Sequence, residues 1–267
     1  MNYMPELPEV ESVRKVLVNS LLNQKLKSYK ITDIRINRFN NTKPRNNGSV
    51  NQIIRKGKVL QFKFDKISFL FHLGMSGRLA LNSSKNKHTH GIFNFENDIL
   101  LFDDIRKFGY IKILNNEKVS NHFANLGPDS LDLTKANRNI IINRANKSIV
   151  EIKKFLLNQK NISGLGNIYV NEILFLSRIN PFLPTYKLTD NNWSNIFTNT
   201  TKILKKAIKN NGTTLSDMTY YLPFGEYGSH QNNLLIYGKD MCFSCGAKID
   251  KLFIDSRATY MCLKCQK

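Results

Sequence analysis

The spacing of apolar residues changes twice along the chain. Behind Pro8, Val10, Val13, Leu17 and Leu21 recur at three- and four-residue steps, the repeat of a single helix face. Proline suits the first turn, where an N–H would have no intrahelical partner, so a helix is predicted over about residues 8 to 23. From there to about residue 115 the runs KITDIRI, VLQFKFD, SFLFHLG, GIFNFEN and YIKILN stand between Asn, Gly, Ser and Lys clusters. Short, β-branched or aromatic and often alternating, they read as strands of an antiparallel sandwich or barrel. The strand signal stops at NLGPDSLDLT, where Gly127-Pro128 marks a linker. Helical spacing returns in SIVEIKKFLLNQ, NIYVNEILFLS and NNWSNIFTNTTKILKKAIKN. Residues 212–233, rich in Gly, Tyr and polar side chains, read as a long loop, and a cysteine-bearing hairpin follows. There is no internal repeat. The expected division is therefore 1–126, 127–233 and 234–267.

Composition adds a partner to this outline. Lys and Arg number 40 against 20 Asp and Glu, a formal charge of +20 with a pI near 9.8, which points to a polyanion such as nucleic acid. A genome that favours Lys and Asn codons accounts for part of the lysine excess but not for arginines at defined places. No apolar run approaches the roughly 18–20 residues of a membrane span, and the first segment lacks the apolar stretch of a signal peptide. A soluble, cytoplasmic protein with no membrane partner is expected.

All four cysteines lie near the end, as CFSC and CLKC: Cys242, Cys245, Cys262 and Cys265. Two Cys-x-x-Cys knuckles at this separation can set four thiolates around one structural Zn2+ with no open position for catalysis. Redox-active or disulfide-paired motifs fit poorly, because both knuckles sit on one short hairpin. Between them, in IDSRATY, Arg257 falls at the hairpin tip, either a phosphate contact or a solvated surface arginine. In NISGLGNIYVNE the glycines allow a tight turn and Asn167 is the expected N-cap of the next helix, a place where free N–H groups can receive a phosphate.

Taken in order, MPELPEVE, RKGK, HLGMSG, KHTHG, DDIRKFG, LGPDSL, SGLGNIYVNE, NGTT and the terminal cysteine hairpin resemble the bacterial formamidopyrimidine-DNA glycosylases over essentially the whole chain. The resemblance implies an α+β fold: an N-terminal helix plus an antiparallel β-sandwich domain, then a helical domain with a helix-two-turn-helix element and a zinc-finger hairpin. It implies a monomer that acts on double-stranded DNA containing oxidised purines, such as 8-oxoguanine and formamidopyrimidines, or abasic sites. The damaged nucleotide leaves the stack, and the strand is then cut by β,δ-elimination.

By the same resemblance Pro5, once N-terminal, is the nucleophile, Glu6 the acid/base group at the sugar oxygen, and Lys58 of RKGK assists. His72 matches a phosphate contact, Met75 the side chain filling the space of the extruded base, and His90 of KHTHG a DNA contact. Arg106 would read the orphaned cytosine and Phe108 wedge into the stack, while Asn167 and Arg257 complete the phosphate contacts. Tyr169 and Glu172 match as structural supports. The chain departs from the pattern at Ile105, where proline is usual, and at Ser229-His230, where aromatic residues are common. It also carries Met1 to Tyr3 ahead of Met4-Pro5. A start at Met4 exposes Pro5, whereas a start at Met1 leaves its nitrogen in an amide. Three other readings compete: an endonuclease VIII-like enzyme for oxidised pyrimidines, a non-catalytic damaged-DNA binder, and a zinc-ribbon module of another class.

Overall fold

The computed structural model describes residues 4–38, 48–216 and 219–267, so Met1 to Tyr3 lie outside the described residues. The chain divides into two compact units, Met1–Asn125 with Ile208–Gln231, and Leu126–Ala207 with Asn232–Lys267. This grouping differs from the linear division read from the sequence. The glycine-rich stretch belongs with the first unit rather than with the helices, and the cysteine hairpin belongs with the helices.

The first unit opens with helix α1 (Leu7–Leu21), whose Leu7, Val10, Val13, Leu17 and Leu21 are buried. Eight strands follow: β1 (Leu26–Ile31), β2 (Gln52–Lys56), β3 (Val59–Lys63), β4 (Ile67–His72), β5 (Gly77–Leu81), β6 (Thr89–Phe95), β7 (Ile99–Asp104) and β8 (Tyr110–Asn115). They form two antiparallel sheets ordered β1-β6-β7-β5 and β2-β3-β4-β8. Between the sheets lies an aromatic core: Phe69 and Phe71 of β4 meet Phe93 of β6 edge-on at 5.7 and 5.3 Å, a favourable geometry for rings of this charge distribution. The other face of the second sheet is also covered. Helix α2 (Asn116–Phe123) seals Val59, Leu70 and Leu114 with its own Val119 and Phe123, and α1 lies against β2 and β3. With both faces covered, β3 and β4 are buried at nearly every position, Gln61 and Ser68 included, unlike a half-exposed strand.

The expected strand KITDIRI is displaced. Pairing ends at Ile31, because the Asp33 carboxylate accepts the backbone N–H of Arg35 at 2.9 Å and turns the chain locally.

The second unit contains α3 (Lys135–Ala145), α4 (Ile152–Leu157), α5 (Asn167–Leu176) and α6 (Asp190–Lys209) as far as Ala207, then the antiparallel hairpin β9 (Asp250–Ile254) and β10 (Arg257–Met261). Helix α5 is buried on nearly every side, and its polar residues are matched to partners. Glu172 accepts the N–H groups of Leu235, Ile236 and Tyr237 at 2.8–2.9 Å, and Asn171 Oδ1 accepts Tyr260 N–H at 2.9 Å. These bonds fasten the segment leading to the hairpin, and the hairpin itself, to the centre of the unit. No helix among the described residues is long and apolar enough to cross a membrane.

Candidate active site and nucleic-acid contacts

At the start of α1, Glu6 and Glu9 cap the helix reciprocally: each carboxylate accepts the other's backbone N–H, the Glu6 N–H reaching Glu9 Oε2 at 2.9 Å. Both are buried. The second Glu9 oxygen accepts Thr213 N–H at 2.7 Å, and Tyr220 donates its hydroxyl to the carbonyls of Asn211, at 2.8 Å, and Glu9, at 3.3 Å. Gly212 has φ +79° and a Cβ there would come within 2.8 Å of Glu9 Oε1, so only glycine lets the NGTT loop close on this turn. Pro5 is buried at the head of this assembly.

The same helix fixes Lys58. Glu11 bonds both Arg14, at 2.7 Å, and Arg55, at 3.0 Å, and Arg55 Nη1 donates to the Gly57 carbonyl at 2.8 Å. The β2–β3 turn that carries Lys58 is thereby tied to α1.

His72 ends β4. Gly74 N–H donates to its Nδ1 at 3.0 Å, which leaves the ring proton on Nε2 as an outward donor. Burial, then the neighbouring charges of Lys58 and Arg38, lower its pKa to about 4, so at neutral pH it is an uncharged donor. Gly74 has φ +61°, and a Cβ on it would lie 2.4 Å from Gly109 N. The HLGMSG turn, with half-buried Met75, is thus pressed against the backbone of the β7–β8 loop.

That loop is built over one buried carboxylate. Asp104, 0% exposed, accepts from Ser76 Oγ at 2.6 Å, Arg106 N–H at 3.2 Å and Gly109 N–H at 2.7 Å. Lys107 takes φ +57° and its ammonium lies 2.5 Å from Asp33. Contacts from Arg35 and Lys107 hold the Asp33 carboxyl well below the usual carboxylate range. Above this base Ile105 and Phe108 are exposed by 58% and 53%, and the Arg106 guanidinium stands 5.0 Å from the Phe108 ring. His90 does not face solvent with them. It is buried, and its Nε2 donates to the Asp104 carbonyl at 3.1 Å. The bond supports the end of β7.

On the second unit, Asn167 and Arg257 flank one carbonyl. Ala258 O accepts from Lys153 Nζ at 2.7 Å and Asn167 Nδ2 at 3.1 Å, and Lys153 also donates to Thr259 Oγ1 at 2.8 Å. Lys153 is 0% exposed. Gly166, not Asn167, is the N-cap of α5, because the Asn167 side chain is turned toward the hairpin. Arg257 is exposed beside Asp255 and Ser256, both at positive φ.

The four cysteine sulfurs lie within 4.8 Å of one another, with Cys242–Cys265 at 3.8 Å and Cys245–Cys262 at 3.6 Å. A tetrahedron with metal–sulfur bonds of about 2.3 Å has edges of about 3.8 Å, so the cluster has the dimensions of a metal site. The Cys245 sulfur and the other thiols push Cys265 up to about 12; a cation is what lets all four ionise together.

Sequence reasoning missed the buried partners Glu9, Asp104 and Lys153. Only Glu9 had a local signal, the acid three residues after a helix cap.

Two family models match: "Formamidopyrimidine-DNA glycosylase N-terminal domain" over residues 4–111 and "Formamidopyrimidine-DNA glycosylase H2TH domain" over 126–219. The chain is 35% identical over 275 residues to a formamidopyrimidine-DNA glycosylase of Lactococcus lactis subsp. cremoris, covering 99% of this chain and 100% of that protein. It resembles the Lactococcus lactis Fpg solved in complex with DNA containing an abasic site, with a TM-score of 0.88 and 33% identity over 98% of this chain and 99% of that one. The wild-type Lactococcus lactis Fpg bound to DNA containing N7-benzyl-Fapy-dG gives the same TM-score and identity, over 98% and 100%.

Proposed function

Because the chain belongs to the formamidopyrimidine-DNA glycosylase family, a family of DNA-repair glycosylases, we propose that it removes oxidised purines from duplex DNA and then cleaves the strand, with Pro5 as nucleophile. The observation that carries this reading is the built environment of Pro5-Glu6. A buried proline heads a helix whose first turn is locked by Glu9, Thr213 and Tyr220.

The chemistry requires Pro5 to be the terminus, since an amide nitrogen has no available lone pair. A terminal amine has a pKa of about 8 and is partly unprotonated near neutrality. Its nitrogen attacks C1′ and the glycosidic bond breaks, the base leaving with its electron pair and taking a proton. Glu6 protonates the ring oxygen as the sugar opens to an iminium. That cation acidifies the C2′ proton, whose loss expels the 3′-phosphate; a second elimination expels the 5′-phosphate, and water releases the amine. Lys58 stands on the turn tied to α1, where an ammonium stabilises the departing phosphate.

His72, Asn167 and Arg257 supply donors for the strand, Arg106 for the unpaired base, and Met75 and Phe108 the apolar surface that offsets unstacking, a cost of about a few kcal/mol per step. Cys242, Cys245, Cys262 and Cys265 hold a structural zinc ion, which when bound cross-links the hairpin that carries Arg257.

The test is borohydride trapping on a duplex holding 8-oxoguanine opposite cytosine, with the cross-linked peptide mapped by mass. An adduct at Pro5 is expected. Lesion binding with no adduct, from protein whose terminus is shown to be Pro5, would overturn the nucleophile assignment. Excision of thymine glycol in preference to 8-oxoguanine would move the substrate to oxidised pyrimidines.

A further inference from the structure

Arg38 stands outside every motif that marks the family, yet the fold sets it in line with two residues already assigned to DNA. Across the second sheet Val59 pairs with His72, and His72 with Tyr110. Beyond β8, a parallel bridge between Asn37 and Ile111 and the bond from Arg38 N–H to the Ile111 carbonyl, at 2.9 Å, add one more chain beside this end of the sheet. His72 and Tyr110 are thus direct neighbours at one end of the sheet, Lys58 precedes the residue paired with His72, and Arg38 follows the residue bridged to Ile111.

The side chains keep that order. The Tyr110 ring is stacked on His72 at 5.3 Å and 7°, and the Arg38 guanidinium lies 4.6 Å from the Tyr110 centroid. Tyr110 is held in turn at its hydroxyl, 3.3 Å from His122 Nε2. Arg38 is exposed, and among the described residues no carboxylate pairs with its guanidinium; the nearby Asp33 is taken by Arg35 and Lys107. A guanidinium laid on an aromatic plate keeps its N–H fork free for an oxyanion and loses little entropy on binding one. The charges of Lys58 and Arg38 both act on His72, which places the three donors in one electrostatic neighbourhood.

We propose that Arg38, carried on the Tyr110 ring, is a further backbone-phosphate contact that extends the Lys58–His72 site along the strand. The assignment rests on duplex DNA being the ligand, as proposed above. A phosphate contact has a signature that a packing role lacks: each one removed lowers the slope of log K against log salt by about 0.9.

The experiment measures binding of the full chain to an undamaged duplex and to one with an uncleavable abasic analogue, between low and moderate salt. The proteins are wild type, Arg38→Gln and Arg38→Lys, with melting curves confirming the fold of each. Arg38→Gln is expected to weaken both duplexes by the same several-fold factor and to reduce the slope by about 0.9; Arg38→Lys is expected to keep the slope. An unchanged slope in Arg38→Gln, with or without weaker binding, overturns the proposal. Should Arg38→Gln not fold, replacing single phosphates by neutral methylphosphonates decides on wild type and Arg38→Lys. If neither phosphate adjoining the one that faces His72 weakens binding when neutralised, the proposal falls. Wild type that binds neither duplex would instead sink the DNA reading itself.

Discussion

Two arginines, Arg106 and Arg257, sit on exposed tips, one in each unit, and the tips are supported in opposite ways. Under the β7–β8 loop lies an acid: the buried Asp104 gathers the hydroxyl of Ser76 and the N–H groups of Arg106 and Gly109. Under the β9–β10 hairpin lies a base: the buried Lys153 donates to Ala258 and Thr259. The surfaces differ to match. The first tip shows Ile105 and Phe108 beside its arginine, and the second shows Asp255 and Ser256. On the proposed reading the first tip would offer apolar bulk to a base stack, and the second the donors of Arg257 and Ser256 to a phosphate. The buried charge beneath each is what gives the tip its shape.

The largest expected effect comes from dismantling the second tip alone. Removing the metal with a chelator, verified by metal analysis, should cost most of the hairpin's order and lower DNA affinity by about a hundredfold or more, because structural zinc contributes about 10 kcal/mol or more to folding such sites. The N-terminal turn should keep its reactivity toward an abasic site at high protein concentration. Affinity unchanged after verified metal loss would refute the structural role.

Lys153→Met tests the buried base more gently. It leaves the hairpin its metal but strips Ala258 and Thr259 of a charged donor, worth about 1.5–3 kcal/mol, so binding to damaged and undamaged duplex should fall about tenfold together. A loss confined to damaged DNA would mean that the second tip reads the lesion and not the backbone.

Asp104→Asn is the matching change in the first tip. It keeps the shape but puts an NH2 group where one acceptor oxygen stood, so the N–H of Gly109 or of Arg106 loses its partner; excision from pairs with cytosine should fall several-fold while affinity for undamaged duplex holds. Equal losses on both would erase the distinction between the tips.

A pH dependence belongs to the first unit alone. His72 has a folded pKa of about 4 against about 6.5 when unfolded. The unfolded chain therefore binds the proton first, and the stability His72 contributes is whole above about pH 6.5 and declines as pH falls toward 4. Denaturation midpoints between pH 4.5 and 7 should show this slope in wild type and a shallower one in His72→Asn, with an NMR titration of the imidazole reading the pKa directly.

How much of this was legible in the sequence follows from what each residue is buried against. Helices α4, α5 and α6 announced themselves by periodicity. Helix α3 did not, because it buries only Ile141 and Ala145, too narrow a stripe to set a period. Strands β2, β5 and β7 went unread, being short segments whose pairing is settled by neighbours distant in sequence. The KITDIRI run misled because one aspartate side chain outcompetes a ladder that its apolar alternation favours. The site divides the same way. Exposed residues such as Arg106 and Arg257 lie in motifs carried by the resemblance, while Lys153 and Tyr110 lie outside those motifs and owe their importance to partners brought by the fold.

The reciprocal cap at the head of α1 draws on no residue ahead of Pro5. Both carboxylates and both N–H groups of that cap belong to Glu6 and Glu9, so the helix takes its beginning from inside itself. Cutting the chain ahead of Pro5 removes none of those bonds. A chain beginning at Pro5 would therefore start α1 with every bond of its cap in place.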